Sequence, residues 1–118
     1  MGITYISAVV AIGPKGEANV DFLVDSGSQY TLLPENVWRE VGLVARRRQR
    51  FRLADGTFME RDIANCIVRF AEHGETPTPI VMGQAGDVAV LGAVTLEELG
   101  LVLNPFTRTL HPVALLMV

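Results

Sequence analysis

Asp25 is the residue of this sequence best placed for acid–base chemistry. It follows the apolar run Phe22-Leu23-Val24, where a buried strand would end. A carboxylate is expensive to bury unless its oxygens are hydrogen-bonded. Ser26, Gly27 and Ser28 follow at once. The hydroxyls are donors for a carboxylate, and the glycine permits a tight turn with close backbone approach. A carboxylate in a small-residue turn at the end of a strand is suited to proton transfer. Taken alone, Asp-Ser-Gly fits an Asx-turn or a helix cap better. The surroundings have to decide.

Other chemistries find less support. Cys66 is the only cysteine, so it forms no disulfide within the chain and no Cys-based zinc cluster. It reads as a small core residue of a strand. His73 and His111 are the only histidines, without an HxxxH or HExxH spacing, and no metal site is expected. No GxSxG accompanies the serines. Arg46, Arg47, Arg48, Arg50 and Arg52 hold five of the ten basic residues. They read as one solvated strand whose other face carries Phe51 and Leu53. The net charge of -3 and the lack of an aromatic platform argue against nucleic acid as a partner.

The elements that must position Asp25 are short strands. Ile3 to Ile12 and Ala18 to Val24 are strands around the turn Gly13-Pro14-Lys15-Gly16. Tyr30 to Leu33 is a third. Pro34 opens a short helix through Val41, stopped by Gly42, and Trp38 is its core anchor. Arg46 to Ala54 and Thr57 to Phe70 form a hairpin around Asp55-Gly56. Gly74 to Pro79 reads as a loop. Ile80 to Met82 and Val88 to Leu91 are short buried strands. Thr95 to Leu99 is a second helix, with Thr95 as N-cap and Glu98 closing a capping box. Leu101 to Leu103 and Thr109 to Val118 are the last strands.

With 118 residues and 49% apolar content, the chain is expected to form a single domain over 1–118 with its own core. The mean hydropathy of +0.31 hints at surface buried in an oligomer. The uncharged stretches fall short of the roughly 20 residues needed to span a bilayer, and no basic residue precedes the N-terminal apolar run. Myristoylation at Gly2 is disfavoured by Ile6. No membrane partner is expected, and a reducing cytoplasm is the default compartment. Two segments echo each other: "VDFLVDSGSQYTLLPENVWREVGL" and "DVAVLGAVTLEELGL". Each is a buried strand, a Gly-containing turn, a short helix and a Gly-Leu exit. Two related halves about a pseudo-dyad are expected.

"FLVDSGSQYTLLP" resembles the active-site segment of retropepsin-like aspartic peptidases. "VAVLGAVTLEELGLVLNP" resembles the apolar-apolar-Gly segment and following helix of that family, and "LADGTF" stands where the family has its flap hairpin. The resemblance runs over nearly the whole chain in the right order and is closest to small bacterial single-domain members. It implies an all-β, closed barrel-like subunit with one or two short helices. It implies an aspartic endopeptidase without metal or cofactor, in which two carboxylates hold a water between them. Asp21, Asp55, Asp62 and Asp87 lack the Ser-Gly that follows Asp25, so the second carboxylate must come from a second chain of a C2 homodimer.

Roles follow by the same resemblance. Asp25, Ser26 and Gly27 would be catalytic, with Ser26 bracing the loops across the dyad and Gly27 donating its N–H. Ser28 would hydrogen-bond the outer side of the Asp25 carboxylate. Val90, Leu91 and Gly92 would pack beside the active-site loop. Ala54, Asp55, Gly56 and Thr57 would close over an extended peptide with apolar side chains near the cut. Ala93-Val94 replaces the polar pair common in viral members, and the hairpin tip has the single glycine Gly56. The tail "TLHPVALLMV" fits a dimer interface and an edge strand within one subunit equally. A peptide-binding dimer without turnover, or a monomeric binding barrel, would use the same fold.

Overall fold

The computed structural model of the chain describes residues 3–25 and 27–114. Ser26 and the last residues of the tail therefore lie outside the described residues. The chain order is β1 (Tyr5–Gly13), β2 (Gly16–Val24), β3 (Thr31–Leu33), α1 (Glu35–Glu40), β4 (Arg47–Arg52), β5 (Phe58–Phe70), β6 (Gly74–Met82), β7 (Val90–Leu91), α2 (Ala93–Glu98), β8 (Leu101–Asn104) and β9 (Thr109–Pro112).

Alternation builds the barrel wall. Along β2, Ala18, Val20, Phe22 and Val24 are buried while Glu17, Asn19 and Asp21 are exposed. Gly13 faces Gly16 across the first turn, as expected for the hairpin. β1 also pairs with β5, so Val9 lies between Val20 and Phe70. This second pairing closes a six-strand barrel in the order β1-β2-β7-β3-β6-β5 and back to β1. β4 lies outside it, paired only with the first half of β5, and forms a projecting hairpin. Phe22, Leu33, Ile80, Leu91 and Val68 fill the interior and are fully buried.

The echo between the halves is realised in space. β2 and β7 lie side by side and parallel, Leu23 opposite Val90 and Val24 opposite Leu91. β2 leads into Asp25 and β7 into Gly92. The helices that follow end at left-handed Gly42 and Gly100. Trp38 is half-buried and donates its indole N–H to the Gly83 carbonyl at 2.8 Å, anchoring α1 to the end of β6.

Three expectations are corrected. Gly74 to Pro79 is not a loop but the first part of β6. Thr76, Thr78 and Ile80 alternate inward, and residues 74–79 pair only with β5, so Pro77 and Pro79 deprive no second neighbour of a donor. The strand before Gly92 is shorter than expected, only Val90–Leu91. Helix α2 begins at Ala93 with Gly92 as its N-cap, so Thr95 lies inside it and caps nothing. In the tail, Thr109–Pro112 pairs with β8 of the same subunit and Val113 N–H reaches the Gly100 carbonyl at 2.7 Å.

Cys66 is buried as expected, and burial pushes its thiol pKa up to about 12. The thiol stays neutral at physiological pH and is no nucleophile. Among the described residues, no helix is long and apolar enough to cross a membrane.

Candidate active site

The parallel contact of β2 with β7 positions Asp25. Leu23 N–H donates to the Ala89 carbonyl at 2.9 Å and Asp25 N–H to the Leu91 carbonyl at 3.1 Å. The chain then leaves the sheet. The Asp25 carboxylate is exposed, one residue past buried Val24. Its Oδ1 accepts the Gly27 N–H at 2.9 Å, and its carbonyl accepts the Ser28 N–H at 3.0 Å. The turn thus aims one carboxylate outward, and among the described residues no cation lies against it.

The expected bond from Ser28 to the carboxylate is absent. Ser28 Oγ donates forward to the Tyr30 carbonyl at 3.0 Å. The carboxylate's hydrogen bond comes instead from the backbone N–H of Gly27, at Oδ1. The start of α2 holds this loop from behind. Ala93 N–H donates to the Ser28 carbonyl at 2.8 Å and Val94 N–H to the Gln29 carbonyl at 2.9 Å.

A buried hydroxyl chain fastens the same junction. Gly92 N–H donates to Thr31 Oγ1 at 3.1 Å; Thr31 and Thr95 hydroxyls are 2.6 Å apart, and Thr95 and Thr78 hydroxyls 2.8 Å apart. Thr31 and Thr95 are fully buried and Thr78 nearly so. A consistent assignment runs Thr31 to Thr95 to Thr78, which donates on to the Pro79 carbonyl at 3.4 Å. This is why Thr95 cannot serve as a cap: its hydroxyl joins α2 to β3 and β6. Thr95→Val keeps the shape and removes the hydroxyl, stranding a buried partner. It is expected to cost about 1–3 kcal/mol in denaturant unfolding, with Thr95→Ser costing less. Equal stabilities for wild type and Thr95→Val would show that the chain contributes nothing.

The hairpin of β4 and β5 overhangs the loop. At its tip Leu53 N–H donates to the Thr57 carbonyl at 2.8 Å, and Gly56 takes φ 86°. Thr57 donates its N–H to Asp55 Oδ1 at 2.9 Å. The Thr57 hydroxyl, then its N–H, holds the Asp55 carboxyl below the ordinary carboxylate range. This bracing is complete above that range and is lost as pH falls through the lowered pKa.

Between the hairpin and the loop lies an open cleft of about 900 Å³. Gly27, Ser28 and Val90 line it, and Asp25 lies just outside the lining. Leu91 and Gly92 are buried behind it, and Ala54, Asp55, Gly56 and Thr57 stand exposed at the hairpin tip. Sequence reasoning missed Tyr30, Met59 and Val88, which line the cleft, Tyr30 meeting Phe51 edge-on at 5.7 Å. Alternation could have found Met59: register pairs it with Phe51 and pairs Arg61 with Gln49, on the face turned to the cleft. The opposite face is the solvated one expected, with Arg48 bonded to Glu60 at 3.4 Å and Asp62 at 3.1 Å. Among the described residues, no three His, Cys, Asp or Glu side chains gather as metal ligands.

The sequence model of a family described as aspartyl protease matches residues 8–113. The chain belongs to that family. The match takes in the Asp25 loop, the hairpin, β7 and α2 of this aspartyl protease domain, and the closed barrel with two short helices is an acid-protease fold. No curated relative matches the chain.

Proposed function

We propose that the protein is an aspartic endopeptidase whose active site forms when two copies of this 1–118 domain pair about a C2 axis. The observation that carries this reading is the single exposed Asp25 carboxylate, bonded by the N–H of Gly27, which itself lines the cleft. One carboxylate cannot both take and give a proton in the same step. Two Asp25 side chains, one from each chain, share a proton and hold a water between them. The charged carboxylate takes a proton from the water as its oxygen attacks the scissile carbonyl carbon. The protonated one gives its proton to the carbonyl oxygen. The tetrahedral intermediate then collapses: the carboxyl that took the water proton gives it to the nitrogen, the other carboxylate takes a proton back from one of the two hydroxyls, and the C–N bond breaks.

Ser26 braces the paired loops, and Gly27 N–H keeps each carboxylate oriented. The substrate lies extended in the cleft, past Ser28 and Val90. Leu32, Phe51, Met59 and Val88 suit apolar side chains. Ala54, Asp55, Gly56 and Thr57 descend on it, excluding water. A lone cysteine kept as a neutral thiol suits a reducing cytoplasm.

The test is cleavage of an unfolded protein from acidic to neutral pH at several enzyme concentrations, with sedimentation alongside. Activity per chain is expected to rise with concentration in the range where the dimer forms. Activity per chain that stays constant in a sedimenting monomer would overturn the shared site. A dimer that binds peptides and cuts none at any pH would make the protein a binding module.

A further inference from the structure

Arg61 stands apart from the ion-paired arginines of this chain. Arg39, Arg48 and Arg69 each lie against a carboxylate, on Glu35, on Glu60 and Asp62, and on Glu17 and Glu75 respectively. Arg61 lies on the cleft-facing side of the hairpin, and it is not within ion-pair distance of a described carboxylate; Arg50 and Arg52 border the cleft too, but strand alternation turns their side chains to the face that carries Arg48, Glu60 and Phe58. Arg50 stacks over the Phe58 ring at 3.8 Å. Arg61 is half-buried, on the cleft-facing side of β5 beside Met59 and opposite Gln49. Its one protein partner is a backbone carbonyl, that of Glu60, at 2.9 Å. Among the described residues, Asp87 is the only acid lining the cleft, and its Oδ2 already accepts the Gln84 N–H at 2.7 Å.

The chain as a whole is negative, so an arginine facing the cleft without an anion is not a by-product of composition. A half-buried guanidinium without an anion beside it is a demanding arrangement. A carboxylate arriving with the substrate relieves it, because the planar fork accepts one bidentately. We propose that the cleft selects polypeptide segments bearing an acidic side chain close to the cut, and that Arg61 is the residue that reads it. The inference deepens the peptidase reading and rests on it.

The test has two arms. In the first, a peptide mixture from an unfolded proteome is cut by the wild type, by Arg61→Gln and by Arg61→Glu, and the new ends are read by mass spectrometry. Asp and Glu are expected to be enriched at one position near the cut. Arg61→Gln should erase the enrichment, and Arg61→Glu should turn it toward Lys and Arg. In the second arm, an octapeptide alternating Val and Glu is compared with its Val and Gln counterpart for binding to the Asp25→Asn protein. The Glu peptide should bind about tenfold tighter or better, the scale of one charge-assisted hydrogen-bonded contact, and lose this on adding Arg61→Gln. Cleavage without acidic enrichment, or with enrichment unchanged in both variants, overturns the acidic reading and leaves the peptidase standing. No cleavage, with an Arg61-dependent Glu preference in binding, upholds acidic recognition and overturns the peptidase. Loss of both overturns both. Arg61 bonds only to a backbone carbonyl within the chain, so its substitutions leave the fold in place, and the Gln variant tests the inference should Glu be poorly tolerated.

Discussion

Asp25→Asn is expected to abolish peptide hydrolysis while leaving the barrel intact. The asparagine Oδ1 still accepts the Gly27 N–H that now bonds Asp25 at 2.9 Å, so the turn keeps its shape. What is lost is the ability to take and release a proton. General acid–base catalysis contributes about 10²–10⁴-fold for one group, and both groups are removed at once, so activity should fall by at least roughly 10³-fold. Unfolding in denaturant should be little changed, because the carboxylate is exposed and unpaired. The same variant also counts the chains in a site. When wild type and Asp25→Asn exchange freely in equal amounts at fixed total concentration, random pairing leaves about a quarter of the dimers with two carboxylates. Activity near a quarter of the wild-type value supports a site shared between chains. Activity at one half would mean that each chain works alone.

Gly92→Ala should unfold the junction that Asp25 depends on. A methyl at this position would lie 2.5 Å from both the carbonyl carbon and the oxygen of Tyr30, and 2.9 Å from the Gln29 oxygen. These are backbone atoms, held by Ser28 and Gln29 carbonyls bonded to α2 and by Thr31 bonded to Gly92 itself. Nothing flexible can give way. Overpacking of a tight interior costs about 1–3 kcal/mol and more where backbone must move. At the upper end that lowers Tm by about 10 °C for a domain of this size. Activity should suffer further, since displacement of a reacting group by 1 Å can cost about 10²-fold. Gly56→Ala is the comparison. Gly56 has a left-handed φ of 86° but nothing within 4 Å of a new Cβ, so it carries the conformational cost alone, about 1 kcal/mol. If both variants unfold at the same temperature, the close approach of β7 to the Tyr30 backbone is not what holds the site.

Much of this architecture was legible locally. The Gly13–Gly16 turn, the Asp55-Gly56 hairpin and the inward alternation of Ala18, Val20, Phe22 and Val24 each depend on neighbours within a few residues. So does the break in apolar character at Asp25, and so does the echo that ends in Gly42 and Gly100. Proline at 77 and 79 misled, because it signals a loop unless one knows that this stretch of strand has one partner only. Thr95 misled for a related reason. Ahead of an apolar run and three residues from Glu98 it has the pattern of a cap, and only Thr31 and Thr78, far off in the chain, draw its hydroxyl into the core.

The sequence by itself determined the carboxylate, the small-residue turn that carries it and the strands on either side, because turn chemistry and period-2 burial are properties of adjacent residues. The tertiary structure decided the rest. It closed the barrel through β1 and β5, set β7 against β2 so that Leu91 holds the Asp25 backbone, sent the Ser28 hydroxyl to Tyr30, and turned Arg61 into the cleft while Arg48 faced its acids outside. Each of these depends on pairing between segments distant in the chain, where register and closure are set by the joint packing of all six barrel strands and leave no mark on any one of them.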